Sequence, residues 1–241
     1  MKNSIVIALL ASITSSVFGQ TIMECSLNAK PGDELYLDFK YADEVEIKTW
    51  DKDEVSLMAE VSIDNGDKDS LYRINTFSDG DRLKMFSDPD QLEKLSRTIY
   101  STDGCCRQYG LRMDINLKII LPKYLDITFE SISGSINLPE IDGYLSINTI
   151  SGDITMRPNE RPFFAKTISG DVELLITDTY NVDIEAKTIS GEIYSNLEEL
   201  IIFDGAGLRQ VVGQTLRAKL AKGGKEWELE TISGNVFLRK I

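Results

Sequence analysis

Apolar and polar residues alternate along most of the chain, in short runs. Between Glu34 and Asp88 the runs are Leu35 to Phe39, Val45 to Trp50, Val55 to Ile63, Leu71 to Phe77 and Leu83 to Phe86, separated by turns rich in Asp, Asn and Gly. A period of two with that punctuation predicts β-strands burying one face each. One stretch departs from it: Asp88 stands where a helix cap would, Pro89 follows at the first helical position, and Leu92, Leu95 and Ile99 share helical spacing. A short helix is therefore predicted over 88–100. A loop carrying Cys105 and Cys106 comes next, then a strong strand from Leu111 to Leu121, broken at Pro122.

Beyond Pro122 the alternation becomes a repeat. Five copies of one turn follow: Ser131-Ile132-Ser133-Gly134-Ser135-Ile136, Thr149-Ile150-Ser151-Gly152-Asp153-Ile154, Thr167-Ile168-Ser169-Gly170-Asp171-Val172, Thr188-Ile189-Ser190-Gly191-Glu192-Ile193 and Thr231-Ile232-Ser233-Gly234-Asn235-Val236. Their serines step by 18, 18, 21 and 43 residues, and the doubled last step predicts a degenerate copy near Val212-Gly213. Alternating apolar positions flank each copy, as in Ile127 and Phe129 before the first and Ile136 and Leu138 after it. Each period thus holds a strand, a Ser-Gly turn and a second strand.

Two all-β architectures fit. In an antiparallel β-meander or sandwich the Ser-Gly pair is a two-residue hairpin loop. In a β-solenoid it is a corner between two sheets, and successive copies stack about 4.8 Å apart. A hairpin would turn the isoleucine of every copy toward solvent for no reason, whereas stacked corners set Thr on Thr, Ile on Ile and Ser on Ser and so account for their recurrence. The solenoid is the expected fold, with Ser133, Gly134, Ser151, Gly152, Ser169, Gly170, Ser190, Gly191, Ser233 and Gly234 as its structural turn. Three segments follow: a signal peptide over 1–19, an N-terminal β region over 20–122, and a repeat solenoid over 123–241 continuous with it.

The signal peptide rests on Lys2, the apolar run Ile5 to Ile13 and a small-residue cleavage site at Val17-Phe18-Gly19 before Gln20. That run is too short to span a bilayer and no second run approaches the ~20 residues required, so an integral membrane protein is not expected. The residues before Cys25 are Ile22-Met23-Glu24, too bulky and too acidic for a lipoprotein signal. With 26 basic and 39 acidic residues the net charge is -13, which argues against nucleic acid and anionic membrane surfaces as partners. In an oxidising compartment Cys25 has two candidate disulfide partners, Cys105 and Cys106, and the sequence does not choose between them.

Catalysis finds few residues to work with. The chain has no histidine, which removes Ser-His-Asp and Cys-His arrangements and His-ligated metal sites. Nothing calls for a cofactor or a metal, and the motif serines read as turn hydroxyls bonding local backbone. Asp153, Asp171 and Glu192 follow the Ser-Gly pair in three copies and would line one solenoid edge, as a calcium row or a glycosidase pair would need, but Ser135 and Asn235 interrupt that row. A hydroxyl array for ice is disfavoured, because the threonines continue an apolar face.

The Thr-Ile-Ser-Gly-Asp-Ile series, led in by Ile119-Ile120-Leu121-Pro122-Lys123 and preceded by the segment Val45 to Val55, resembles the bacterial "putative adhesin" domain over roughly Leu35 to the end. The resemblance implies an extracytoplasmic β-helix-like domain with an adhesive role and no catalytic residues. The Cys105-Cys106 loop and the predicted helix before it depart from that pattern. The expected function is a non-catalytic binding or structural role at the periplasm or cell surface, with a protein or glycan of the envelope as partner. The alternative is a carbohydrate-active β-helix enzyme using Asp153, Asp171 or Glu192.

Overall fold

The structure is a computed structural model that describes residues 16–17, 20–88, 112–198, 200–202 and 214–241. The helix predicted over 88–100, Asp88 apart, lies outside the described residues, as do Cys105, Cys106 and Val212-Gly213. The described residues form β-strands throughout, with one 3-10 turn at Asp69–Leu71. In chain order the strands are β1 (Ser16–Val17), β2 (Gln20–Asn28), β3 (Glu34–Asp38), β4 (Tyr41–Trp50), β5 (Glu54–Ile63), β6 (Ile74–Asp79), β7 (Arg82–Ser87), β8 (Met113–Pro122), β9 (Asp126–Leu138) and β10 (Leu145–Ser151). They continue as β11 (Ile154–Met156), β12 (Phe163–Ser169), β13 (Val172–Ile176), β14 (Val182–Ser190), β15 (Ile193–Ser195), β16 (Leu200–Ile202), β17 (Gln214–Leu220), β18 (Lys225–Ser233) and β19 (Val236–Lys240).

Strand pairing resolves the choice between hairpin and corner. The segments on either side of each Ser-Gly pair do not bond to each other; each bonds in parallel to its counterpart in a neighbouring copy. The protein is therefore a β-solenoid-like stack of coils, each crossing from one sheet to the other at its Ser-Gly corner. The first sheet runs β6-β7-β3-β9-β10-β12-β18-β14-β17-β16 and the second β1-β2-β5-β8-β4-β9-β11-β13-β19-β15. β9 serves both sheets, since it runs unbroken through its corner, and β3–β4 form a coil beneath it with a bulge between Tyr41 and Glu44. At the N-terminal end antiparallel strands extend the stack: β6–β7 on the first sheet, β2 and β5 on the second.

The order of coils is not the order of the chain. The C-terminal coil β18–β19 lies between β12–β13 and β14–β15, so the fifth motif sits between the third and the fourth. Within the 43-residue step, β17 runs antiparallel along the outer edge of β14 and β16 runs antiparallel to β17.

The core is the space between the two sheets. Alternate residues point into it because successive side chains on a strand leave by opposite faces. Ile127 and Phe129, Leu145 and Ile147, Phe163 and Ala165, and Trp227 and Leu229 enter from the first sheet; Ile136, Ile154, Val172 and Val236 enter from the second. Each such aliphatic side chain contributes about 1.5–3 kcal/mol on burial. Trp227 is fully buried and lies 5.5 Å from the rings of both Phe163 and Tyr180, and its indole N–H donates to the Arg161 carbonyl at 3.1 Å. No helix among the described residues is long and apolar enough to cross a membrane.

Candidate functional site

The site is built on the Ser-Gly corners, where three ladders run side by side along the stack. The glycine ladder sets the geometry. Gly134, Gly152 and Gly170 have φ of +104°, +149° and +153°, a region that residues with a Cβ avoid. A Cβ on Gly152 would stand 2.2 Å from the Gly134 carbonyl oxygen, one on Gly170 2.3 Å from that of Gly152, one on Gly234 1.9 Å from that of Gly170, and one on Gly191 1.8 Å from that of Gly234. Each corner therefore nests on the backbone of the one before it, in stack order.

The residue three before the glycine is turned inward and buried. Thr167 donates its hydroxyl to the Gly152 carbonyl at 3.1 Å, Thr231 to that of Gly170 at 2.9 Å, and Thr188 to that of Gly234 at 2.9 Å. Ser131 takes the same place in the first copy and donates to the Phe39 carbonyl at 2.8 Å. These hydroxyls satisfy carbonyls that the tight corner keeps from a strand partner. The motif serines Ser151, Ser169, Ser190 and Ser233 are exposed, Ser133 is half-buried and bonds the Ala42 carbonyl at 3.2 Å, and among the described residues none has an ionisable side chain as a hydrogen-bond partner.

The residue after the glycine forms the second ladder. Asp153 Oδ1 accepts from the Asp171 N–H at 2.8 Å, Asp171 Oδ1 from the Asn235 N–H at 2.6 Å, and Asn235 Oδ1 from the Glu192 N–H at 3.0 Å. Asn235, which looked like a gap in a carboxylate row, is a full member of it, because what the row requires is an amide or carboxylate oxygen rather than a charge. Among the described residues no group of three or more acidic or cysteine side chains is placed to hold a metal ion.

The third ladder faces solvent. Register places Ile132, Ile150, Ile168, Ile232 and Ile189 next to one another on successive coils. Ile150, Ile168 and Ile189 are 46%, 40% and 52% exposed. Parity alone does not turn them inward: with Thr fixed in the core, the next residue must leave by the opposite face, in a corner as in a hairpin. The expectation that stacking would spare the isoleucines from solvent was thus mistaken. At about 4.8 Å per coil the stripe is roughly 19 Å long. A shallow groove of about 310 Å³ runs beside it, lined by Ile132, Ile150, Ile168, Glu130, Asn148 and Lys166.

Charged residues border the stripe on the first sheet. Lys166 pairs with Glu230 at 3.0 Å, Lys187 with Glu185 at 3.1 Å and Glu228 at 3.5 Å, and Arg217 with Glu185 at 2.7 Å. Partial burial pushes the Glu185 carboxyl up, but the Arg217 and Lys187 charges outweigh that and hold it below its ordinary value. Cys25, on β2, carries a free, half-buried thiol that burial pushes up to about 11.

One solved structure shares this architecture. A putative cell adhesion protein from Clostridium sporogenes superimposes with a TM-score of 0.59 at 11% identity, over 91% of this chain and all of the other. A putative adhesin from Bacteroides fragilis matches with a TM-score of 0.32 at 10% identity, over 91% of this chain and 97% of that one. No curated protein matches the sequence. The model of the Toastrack DUF4097 family matches residues 113–239, more than half of the chain, and the chain belongs to that family.

Proposed function

We propose that this protein is an exported, non-catalytic binding protein of the periplasm or cell surface that holds a protein or glycan of the envelope against its isoleucine stripe. The observation that carries the reading is the division of labour within the repeat. The buried hydroxyls of Ser131, Thr167, Thr188 and Thr231 and the side-chain oxygens of Asp153, Asp171 and Asn235 are bonded to backbone, while the isoleucine is left outside. Exposing large aliphatic side chains in a continuous row gains nothing for folding and marks an interaction surface. The carboxylates that a glycosidase would use, Asp153 and Asp171, accept corner N–H groups, which weighs for binding over cleavage. The cell-adhesion description of the Clostridium sporogenes protein, which shares the fold, is in keeping with this role. Export draws on the signal-like segment over residues 1–19.

The test compares the native chain with an Ile150→Ser/Ile168→Ser variant in attachment of whole cells to a surface and in binding to isolated envelope glycans and proteins. Loss of binding with an unchanged β-sheet spectrum supports the reading; equal binding by both overturns it. Fractionation with N-terminal sequencing tests export: a mature chain starting at Gln20 outside the cytoplasm is expected, and an intact Met1 in the cytoplasm would refute it.

A further inference from the structure

We infer that the C-terminal coil β18–β19 exchanges between two copies of this chain, each copy filling the slot of the other. The slot is the gap between β12–β13 and β14–β15, which the chain builds before it reaches residue 225. Both walls are parallel strand edges in matching register: Trp227 stands opposite Phe163 on one side and Ile184 on the other, and Ser233 opposite Ser169 and Ser190. Until it is filled, the backbone groups on both walls lack sheet partners. Any copy of residues 225–240 offers the same pattern of inward Trp227, Leu229, Thr231, Val236 and Leu238, so the slot does not distinguish its own chain from another.

The connector favours the exchange. β17 lies on the far edge of β14 and β18 on the near edge, so the four residues 221–224 must step across the start of β14. That step is tight. Ala221 is held at φ +52° and Gly223 at +68°, a Cβ on Gly224 would stand 2.5 Å from the Asn181 carbonyl oxygen, and the Lys222 N–H reaches Asn181 Oδ1 at 3.4 Å. A short hinge with a non-glycine residue in the left-handed region relaxes when it straightens, and straightening sends β18–β19 into a neighbour. Every other contact is identical in the closed and the exchanged forms.

The test uses the full-length chain, refolded from urea at low and at high protein concentration and sized by chromatography with light scattering. High concentration is expected to yield a dimer that survives dilution, because reversal requires the coil to leave its slot. Deleting Lys222 should raise the dimer fraction several-fold. Ala221→Gly, which relieves the hinge, and a Gly-Ser-Gly insertion after Lys222 should each lower it. The Ile150→Ser/Ile168→Ser variant should dimerise like the native chain. Monomer alone from both the native and the Lys222-deleted chain, a dimer that separates promptly on dilution, or a dimer lost with the isoleucines would each overturn the proposal.

Discussion

The backbone N–H of Asn235 donates to Asp171 Oδ1 across 2.6 Å, although 64 residues separate the two along the chain. This bond joins the fifth motif to the third and requires only an oxygen on the side chain that accepts it. Asp171→Asn should therefore change stability by less than about 0.5 kcal/mol, whereas Asp171→Ala, which leaves the amide without its acceptor, should cost about 1–2 kcal/mol. Urea midpoints at constant slope separate the two outcomes, and equal loss in both variants would mean that charge matters after all.

Gly170 has no room for a side chain. A valine there meets the Gly152 carbonyl 2.3 Å from its Cβ and must also adopt φ +153°. The expected loss is at least about 3 kcal/mol, combining backbone strain with overpacking. Gly32→Ala is the control, since φ is +93° but nothing lies within 4 Å; it should cost only about 1–3 kcal/mol of strain. Equilibrium unfolding that ranks the two equally would contradict the nested corner.

Thr231→Val preserves shape and removes the hydroxyl that donates to the Gly170 carbonyl at 2.9 Å. A loss of about 1 kcal/mol is expected. Ile232→Thr, one residue on and facing outward, should stay within about 0.5 kcal/mol of the native chain. Thermal or urea unfolding of the pair checks the assignment of inner and outer faces.

Burial pushes the Cys25 thiol from 9.0 to about 11, so the folded chain keeps a proton that the unfolded chain releases. Below pH 9 the group leaves stability unchanged, and between pH 9 and about 11 its contribution declines as pH rises. Cys25→Ala should flatten the alkaline part of a stability-pH profile measured from pH 8 to 11. Alkylation of Cys25 at pH 8, followed by peptide mass, should run far slower in the folded than in the urea-unfolded chain; equal rates would place the thiol in solvent.

The strands, the corner and the inward threonines were legible because each rests on a local rule. Alternation such as Val182, Ile184, Ala186 states which face is buried, and five recurring glycines state where backbone meets backbone. Coil order was not legible. Phe163 accepts Trp227 as its neighbour as readily as it would Ile184, and no residue near either motif names the next coil. Steps of 18, 18 and 21 residues invited the assumption that chain order is stack order. The place of Asn235 followed from the same gap: read along the chain it ended a carboxylate row, whereas in space it bridges Asp171 and Glu192. The outward isoleucines were available from parity and were misjudged, because recurrence was taken to imply burial.

The acceptor ladder at the corners also has a direction. Each oxygen reaches forward to the N–H of the following coil, and Asp153 and Asp171 do so with 18 residues between them. A unit of that length meets the same chemistry on its lower and upper surfaces, so a duplicated gene segment of 18 codons would enter the stack without altering a single corner bond. Every such duplication would lengthen the exposed stripe by about 4.8 Å. In this architecture reach is inherited as copy number, and selection on length can act by counting repeats rather than by redesigning residues.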